Sequence, residues 1–175
     1  SADIDVLRVA LVRGAFEYQG QKCSAASRAF IPSSLWQRLR DDLTDTVHEV
    51  TMGDPSDFSV FMGAVIDRRA FDRLSAAVDR ARAEPSITVL AGGGTDDRVG
   101  YFVEPTVLVG TDPTDEIFTK ELFGPVLAIH VYDDTSSAAE AFDDVLRLVD
   151  RATPYALTGS IFARDDAAVA RASER

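Results

Sequence analysis

A single cysteine, Cys23, occurs among the 175 residues, which excludes an internal disulfide and any zinc or iron–sulfur site built from several thiolates. Two histidines, His48 and His130, are too few to make a transition-metal site of imidazoles, so no metal is expected. There is no apolar run of about 18 residues, no secretory core and no basic amphipathic leader, so the chain reads as neither membrane-embedded nor exported. Nucleotide fingerprints are missing as well: neither G-x-G-x-x-G nor a P-loop occurs, and Gly92-Gly93-Gly94 reads as a plain turn after a short strand. If a nucleotide binds, most of its site lies elsewhere. Basic residues are scarce, 18 Lys and Arg against 29 Asp and Glu, and the net charge of −11 repels a phosphate backbone, which excludes nucleic acid as the expected partner.

What is present is the composition of a soluble globular domain, 46% hydrophobic and 27% charged. Apolar positions from Ile4 recur on a helical period, with Asp3 as a cap, and predict a helix to about Tyr18. A polar turn from Gln19 to Ser24 carries the thiol, and Ser27 to Pro32 reads as a strand. Leu35, Leu39, Leu43 and Val47 form the buried stripe of a second helix capped by Ser33 or Ser34, and Phe71, Leu74, Val78 and Ala81 that of a third. Strands are expected at 87–90, 101–109 and 126–132, the last apolar throughout as in a strand covered on both faces. A helix from about Ser136 to Arg151 follows, with Phe142, Val145, Leu146 and Val149 inward, then a strand over Ser160–Ala163 and a helix opened by Asp165. Strands separated by helices imply an α/β fold, a layered and mostly parallel sheet flanked by helices. Both ends read as cut through helices.

Cys23 carries the chemical potential. Gly20 permits close approach of a substrate, Lys22 would favour the thiolate, and the N–H groups of the turn would hold an oxyanion, although a lone cysteine is also compatible with inert packing. His48, late in a helix, and His130, within a strand, read as structural. Glu17 is a candidate general base or an ordinary surface carboxylate. Glu121 stands in Lys120-Glu121-Leu122-Phe123-Gly124-Pro125, where turn residues present a carboxylate and an aromatic face just before a buried strand, the pattern of a binding loop.

Three blocks in order, Phe16–Ala25, Gly100–Thr106 and Lys120–Val126, resemble the aldehyde dehydrogenase superfamily over essentially the whole chain. Arg13–Ala25 and Phe58–Asp67 are most similar to its branch that oxidises 1-pyrroline-5-carboxylate, as glutamate semialdehyde, to glutamate. The resemblance implies that Cys23 is the nucleophile, forming a thiohemiacetal and then a thioester. It implies that Ser24 binds the substrate's α-carboxylate end, that Glu121 binds the nicotinamide ribose hydroxyls of NAD, and that Phe123 packs near the nicotinamide; NADP remains open. Family members are several times longer, and their Rossmann domain, oxyanion asparagine, glutamate base, carboxylate-gripping glycine loop and oligomerisation hairpin have no counterpart here. Residues 1–175 are therefore expected to be a partial catalytic domain, inactive alone, from a cytoplasmic or, in eukaryotes, mitochondrial homo-oligomer acting on a small aldehyde. Another semialdehyde or aliphatic aldehyde dehydrogenase, or a binding module of the same fold with an inert Cys23, are the alternatives.

Overall fold

Asp3 opens α1 (Ile4–Phe16) by accepting the N–H groups of Asp5 and Val6, donors that a first helical turn cannot satisfy internally. In the computed structural model, which describes residues 1–154 and 157–174, the order continues β1 (Arg28–Pro32), α2 (Ser33–His48), α3 (Arg68–Ala83), β2 (Ile87–Ala91), β3 (Thr95–Asp96), β4 (Phe102–Val103), β5 (Thr106–Gly110), α4 (Glu116–Thr119), β6 (Val126–Tyr132), α5 (Ala138–Ala152) and α6 (Asp166–Ser173). The main sheet runs β1-β6-β5-β2, with β1 and β5 parallel to β6 and β2 antiparallel to β5.

Strand periodicity divides the core between the two faces of this sheet. Val107, Leu127 and Ile129 join α1 and the α2 stripe Leu35, Leu39, Leu43 and Val47, while Leu108, Val126 and Ala128 join the α3 stripe Phe71, Leu74, Val78 and Ala81. Successive residues alternate between faces, as the pleat requires, and β6 is apolar on both because helices cover both. Each fully buried leucine, such as Leu39, Leu74 or Leu127, contributes about 1.5–3 kcal/mol relative to exposure.

Several elements depart from expectation. Helix α1 stops at Phe16, because Tyr18 (φ 57°), Gln19 (φ 56°) and Gly20 (φ 63°) turn left-handed within a short 3-10 segment, Glu17–Gly20. Neither Ser33 nor Ser34 is the side-chain cap of α2: Asp134, just past β6, accepts the Ser34 N–H at 3.0 Å and the Ser33 hydroxyl at 2.7 Å. The extended region 101–109 divides at Glu104-Pro105, where proline offers no N–H to a ladder; β4 pairs with β3 and only β5 enters the main sheet. Ser160–Ala163 forms no strand; no segment among the described residues makes a ladder with it, and Ile161 and Phe162 stay 42% and 39% exposed. On α5, Val145 is buried as expected but Val149 is exposed, since packing covers only part of the apolar face. Arg175, the end of the expected last helix, lies outside the described residues. No helix among the described residues is long and apolar enough to cross a membrane.

Tyr132, half-buried at the end of β6, has its phenol pushed up from 10.0 to about 12, first by burial and then by the charge of Asp134. The folded value lies above the unfolded one, so this contribution to stability is complete below pH 10 and is lost as pH rises through about 12. Tyr132→Phe is expected to flatten the fall in stability across that window. Denaturant midpoints and phenolate absorbance measure it, and a Tyr132 that titrates at its ordinary value is the contrary result.

Candidate active site

Cys23 and Ser24 lie exposed in the turn between the 3-10 segment and β1. The Ala25 N–H closes the turn on the Lys22 carbonyl at 3.0 Å, and the Ala26 N–H ties it to the Gly14 carbonyl of α1 at 2.9 Å. Left-handed backbone at Tyr18 and Gln19 costs about 1–2 kcal/mol per residue, so neighbouring contacts must hold it. Two glutamines provide such contacts: Gln19 Nε2 donates to the Ala64 carbonyl at 3.1 Å, and Gln21 Oε1 accepts the Ile66 N–H at 2.9 Å. They flank Gly20 and pin the turn to the 64–66 segment.

Glu17 is not poised as a base. Its carboxylate lies 3.1 Å from Lys22 Nζ and 2.6 Å from an Arg13 Nη, and the hydrogen bond from Lys22, followed by that from Arg13, holds its carboxyl below the usual glutamate range. A general base near neutrality needs the opposite shift. The same pairing partly offsets the field that Lys22 would exert on the thiol.

Glu121 and Phe123 stand in the loop from α4 to β6. Glu121 is exposed, and one of its oxygens accepts the Phe123 N–H at 2.9 Å. Phe123 is left-handed at φ 52° with 40% of its surface exposed. The loop is held by Arg73 Nε on the Leu122 carbonyl at 3.1 Å, by Arg28 Nη1 on the Phe118 carbonyl at 2.9 Å, and by Gln21 Nε2 reaching the Phe123 carbonyl at 3.5 Å. Burial pushes the Arg28 pKa down, and the nearby charge of Glu121 opposes that shift.

The two loops meet backbone to backbone. A Cβ on Gly20 would stand 2.4 Å from the Gly124 oxygen and 2.6 Å from that of Ala15, and one on Gly124 would strike the Leu74 side chain at 2.4 Å. The fold thus brings the turn of Cys23 and Ser24 against the loop of Glu121 and Phe123. His130 is left out, with Nδ1 on the Gly110 carbonyl at 3.1 Å and its ring packed edge-on to Phe30 and Phe118. His48 is exposed at the end of α2, in a groove with Met52 and Glu104. Gln19, Gln21 and Arg28 carry much of the architecture, yet local sequence marks none of them, because their partners are 45 to 102 positions away.

Chemically, an accessible thiol lies in a tight turn beside a loop presenting a carboxylate and an exposed aromatic face. A carboxylate oxygen accepts from hydroxyl or N–H donors and a phenyl face packs on flat rings, so the loop offers one acceptor and one aromatic surface. Among the described residues, no group of three or more His, Cys, Asp or Glu side chains is arranged to hold a metal ion.

The aldehyde dehydrogenase family profile matches residues 1–175. A mitochondrial delta-1-pyrroline-5-carboxylate dehydrogenase of Danio rerio is 44% identical over 175 residues, covering 99% of this chain and 31% of the relative. A delta-pyrroline-5-carboxylate dehydrogenase of Mycobacterium tuberculosis superimposes with a TM-score of 0.91 at 50% identity, over 99% of this chain and 31% of that one. Its structure bound with NAD aligns at 0.89 and 48%, over 99% and 30%. The chain therefore spans about 30% of the length of the relatives it matches.

Proposed function

We propose, because the chain belongs to the aldehyde dehydrogenase family, that residues 1–175 are the thiol-bearing part of the catalytic domain of an NAD-dependent dehydrogenase that oxidises 1-pyrroline-5-carboxylate, as glutamate semialdehyde, to glutamate. The observation that carries this reading is the contact between the Cys23 turn and the Glu121 loop across Gly20 and Gly124. The Cys23 thiolate adds to the aldehyde carbon, and the carbonyl oxygen takes up the negative charge, with the Cys23 N–H as one donor. The carbon of this thiohemiacetal gives up its hydride and becomes a thioester, which water cleaves to the acid and the free thiol. Glu121 would hold the nicotinamide ribose hydroxyls and Phe123 would pack near the nicotinamide of NAD or NADP, which when bound would supply the hydride acceptor. Ser24 donates its hydroxyl hydrogen to the substrate's α-carboxylate. The hydrogen bonds from Lys22 and Arg13 that hold the Glu17 carboxyl below the usual range count against it as the base; by the family resemblance the base, the remaining oxyanion donor, a Rossmann domain and an oligomerisation hairpin belong to the longer enzyme. The isolated chain is accordingly expected to form no NADH. We place the longer enzyme in the cytoplasm as a homo-oligomer; related eukaryotic enzymes carry mitochondrial names.

NADH formation by the longer enzyme with 1-pyrroline-5-carboxylate, compared with a short aliphatic aldehyde, tests the reading. Ser24→Ala is expected to raise KM for the carboxylated substrate about tenfold, the scale of one hydrogen bond to a charged group, and to leave the aliphatic aldehyde unaffected. Equal preference for the two substrates and an indifferent Ser24 variant would reassign the substrate to the wider family.

A further inference from the structure

Glu121 lies in a loop without regular structure; Arg73 of α3 holds the Leu122 carbonyl at 3.1 Å, and two further ties come from the segment that carries Cys23. Arg28 Nη1 donates to the Phe118 carbonyl at 2.9 Å, before Glu121 in the chain, and Gln21 Nε2 reaches the Phe123 carbonyl at 3.5 Å, after it. The Phe118 carbonyl falls in the last turn of a four-residue helix, where no further turn supplies a donor, so Arg28 meets a need that α4 itself leaves open. Gln21 is oriented from the other side: its Oε1 accepts the Ile66 N–H at 2.9 Å, which turns its NH₂ group toward Phe123. Cys23 lies between Gln21 and Arg28 in sequence. Arg73 fixes the loop to α3, and the ties from Arg28 and Gln21, one on each side of Glu121, fix it to the cysteine segment.

We propose that Gln21 and Arg28 are positioning residues for the dinucleotide, clamping the Glu121 loop to the cysteine turn so that carboxylate and thiol are set in one rigid unit. The half-buried Arg28 guanidinium also feels the charge of Glu121, which opposes the downward push of burial on its own pKa and keeps it a charged donor. This inference rests on the dehydrogenase reading above.

The test uses the longer enzyme and reads NADH affinity by fluorescence, the KM and kcat for NAD, and the rate of Cys23 alkylation by iodoacetamide without cofactor. Gln21→Glu keeps the acceptor for Ile66 but faces the Phe123 carbonyl with a second oxygen; Arg28→Met removes donor and charge, and Arg28→Lys restores the charge. Kd for NADH is expected to rise about tenfold in Gln21→Glu and Arg28→Met and less in Arg28→Lys, with KM for NAD rising more than kcat falls and alkylation staying within about twofold. The Gln21→Glu effect should persist at high salt, which screens its added charge. In a Glu121→Gln background the same substitutions should add far less, since the group they position is already impaired. Unchanged NADH affinity in both variants, or full multiplication of effects with Glu121→Gln, overturns the proposal. Should Arg28→Met fail to fold, Gln21→Glu decides. A parent enzyme that binds no NADH defeats the dehydrogenase reading and this inference together; one that binds it equally with and without the substitutions defeats this inference alone.

Discussion

Cys23→Ala in the longer enzyme is expected to lower kcat/KM for aldehyde oxidation by about a thousandfold or more while leaving folding unchanged. The second half of that statement gives the first its meaning. Cys23 is exposed in its turn, so truncation to alanine empties no cavity, and surface changes of this kind shift stability by only about 0.5 kcal/mol. A loss of turnover without a loss of melting temperature therefore measures chemistry. Cys23→Ser separates the two demands on the residue further: a hydroxyl is a weaker nucleophile near neutral pH and a poorer leaving group from the acyl intermediate, so serine should not rescue. Initial rates of NADH formation, set beside thermal melts, provide the measurement. Retention of a tenth or more of the parent rate in the alanine variant would remove Cys23 from the mechanism and revive the inert reading of the thiol.

The largest structural effect is expected from a single methyl group at Gly20. Its φ of 63° already disfavours any side chain, and the added Cβ would stand 2.4 Å from the Gly124 oxygen, 2.6 Å from the Ala15 oxygen and 2.8 Å from the Gly124 carbonyl carbon. All three are backbone atoms, so relief requires displacing either the end of α1 or the loop of Glu121. Left-handed strain of about 1 kcal/mol and overpacking of about 1–3 kcal/mol together give about 2–4 kcal/mol of destabilisation for Gly20→Ala. In the longer enzyme NADH affinity should fall with it, because the cysteine turn and the Glu121 loop are pushed apart at their point of contact. Gly14→Ala is the internal control. Within α1 its Cβ would meet only the Ala26 Cβ at 3.5 Å, an ordinary contact, and replacing a helical glycine is expected to stabilise by about 0.5–1 kcal/mol. Melting temperatures of the two variants should move in opposite directions, and a neutral or stabilising Gly20→Ala would contradict the close approach of the loops.

Much of this architecture is dictated locally. The stripes of α2 and α3 and the two-faced apolar character of β6 follow from residue spacing, because a helix repeats every 3.6 residues and a strand every two whatever surrounds them. The segments of Cys23 and of Glu121 and Phe123 were recognisable for a related reason: each packs its distinctive residues into a short stretch. Local spacing failed wherever the deciding partner lay far along the chain. Asp134 caps α2 from a hundred residues away, in place of either serine at its start. The left-handed turn after Phe16 is held by Gln19 and Gln21 against Ala64 and Ile66, and nothing local distinguishes those glutamines from solvent-facing ones. Ser160–Ala163 has the short apolar run of a strand but makes no ladder, and on α5 the helical period held while packing left Val149 exposed. Periodicity says which face of an element is apolar; whether that face is covered, and which carbonyl a glutamine or arginine meets, depends on what other segments bring to it. The cysteine turn and the Glu121 loop were therefore visible in the sequence, whereas their meeting arose only when Gly20 and Gly124 let two distant backbones touch.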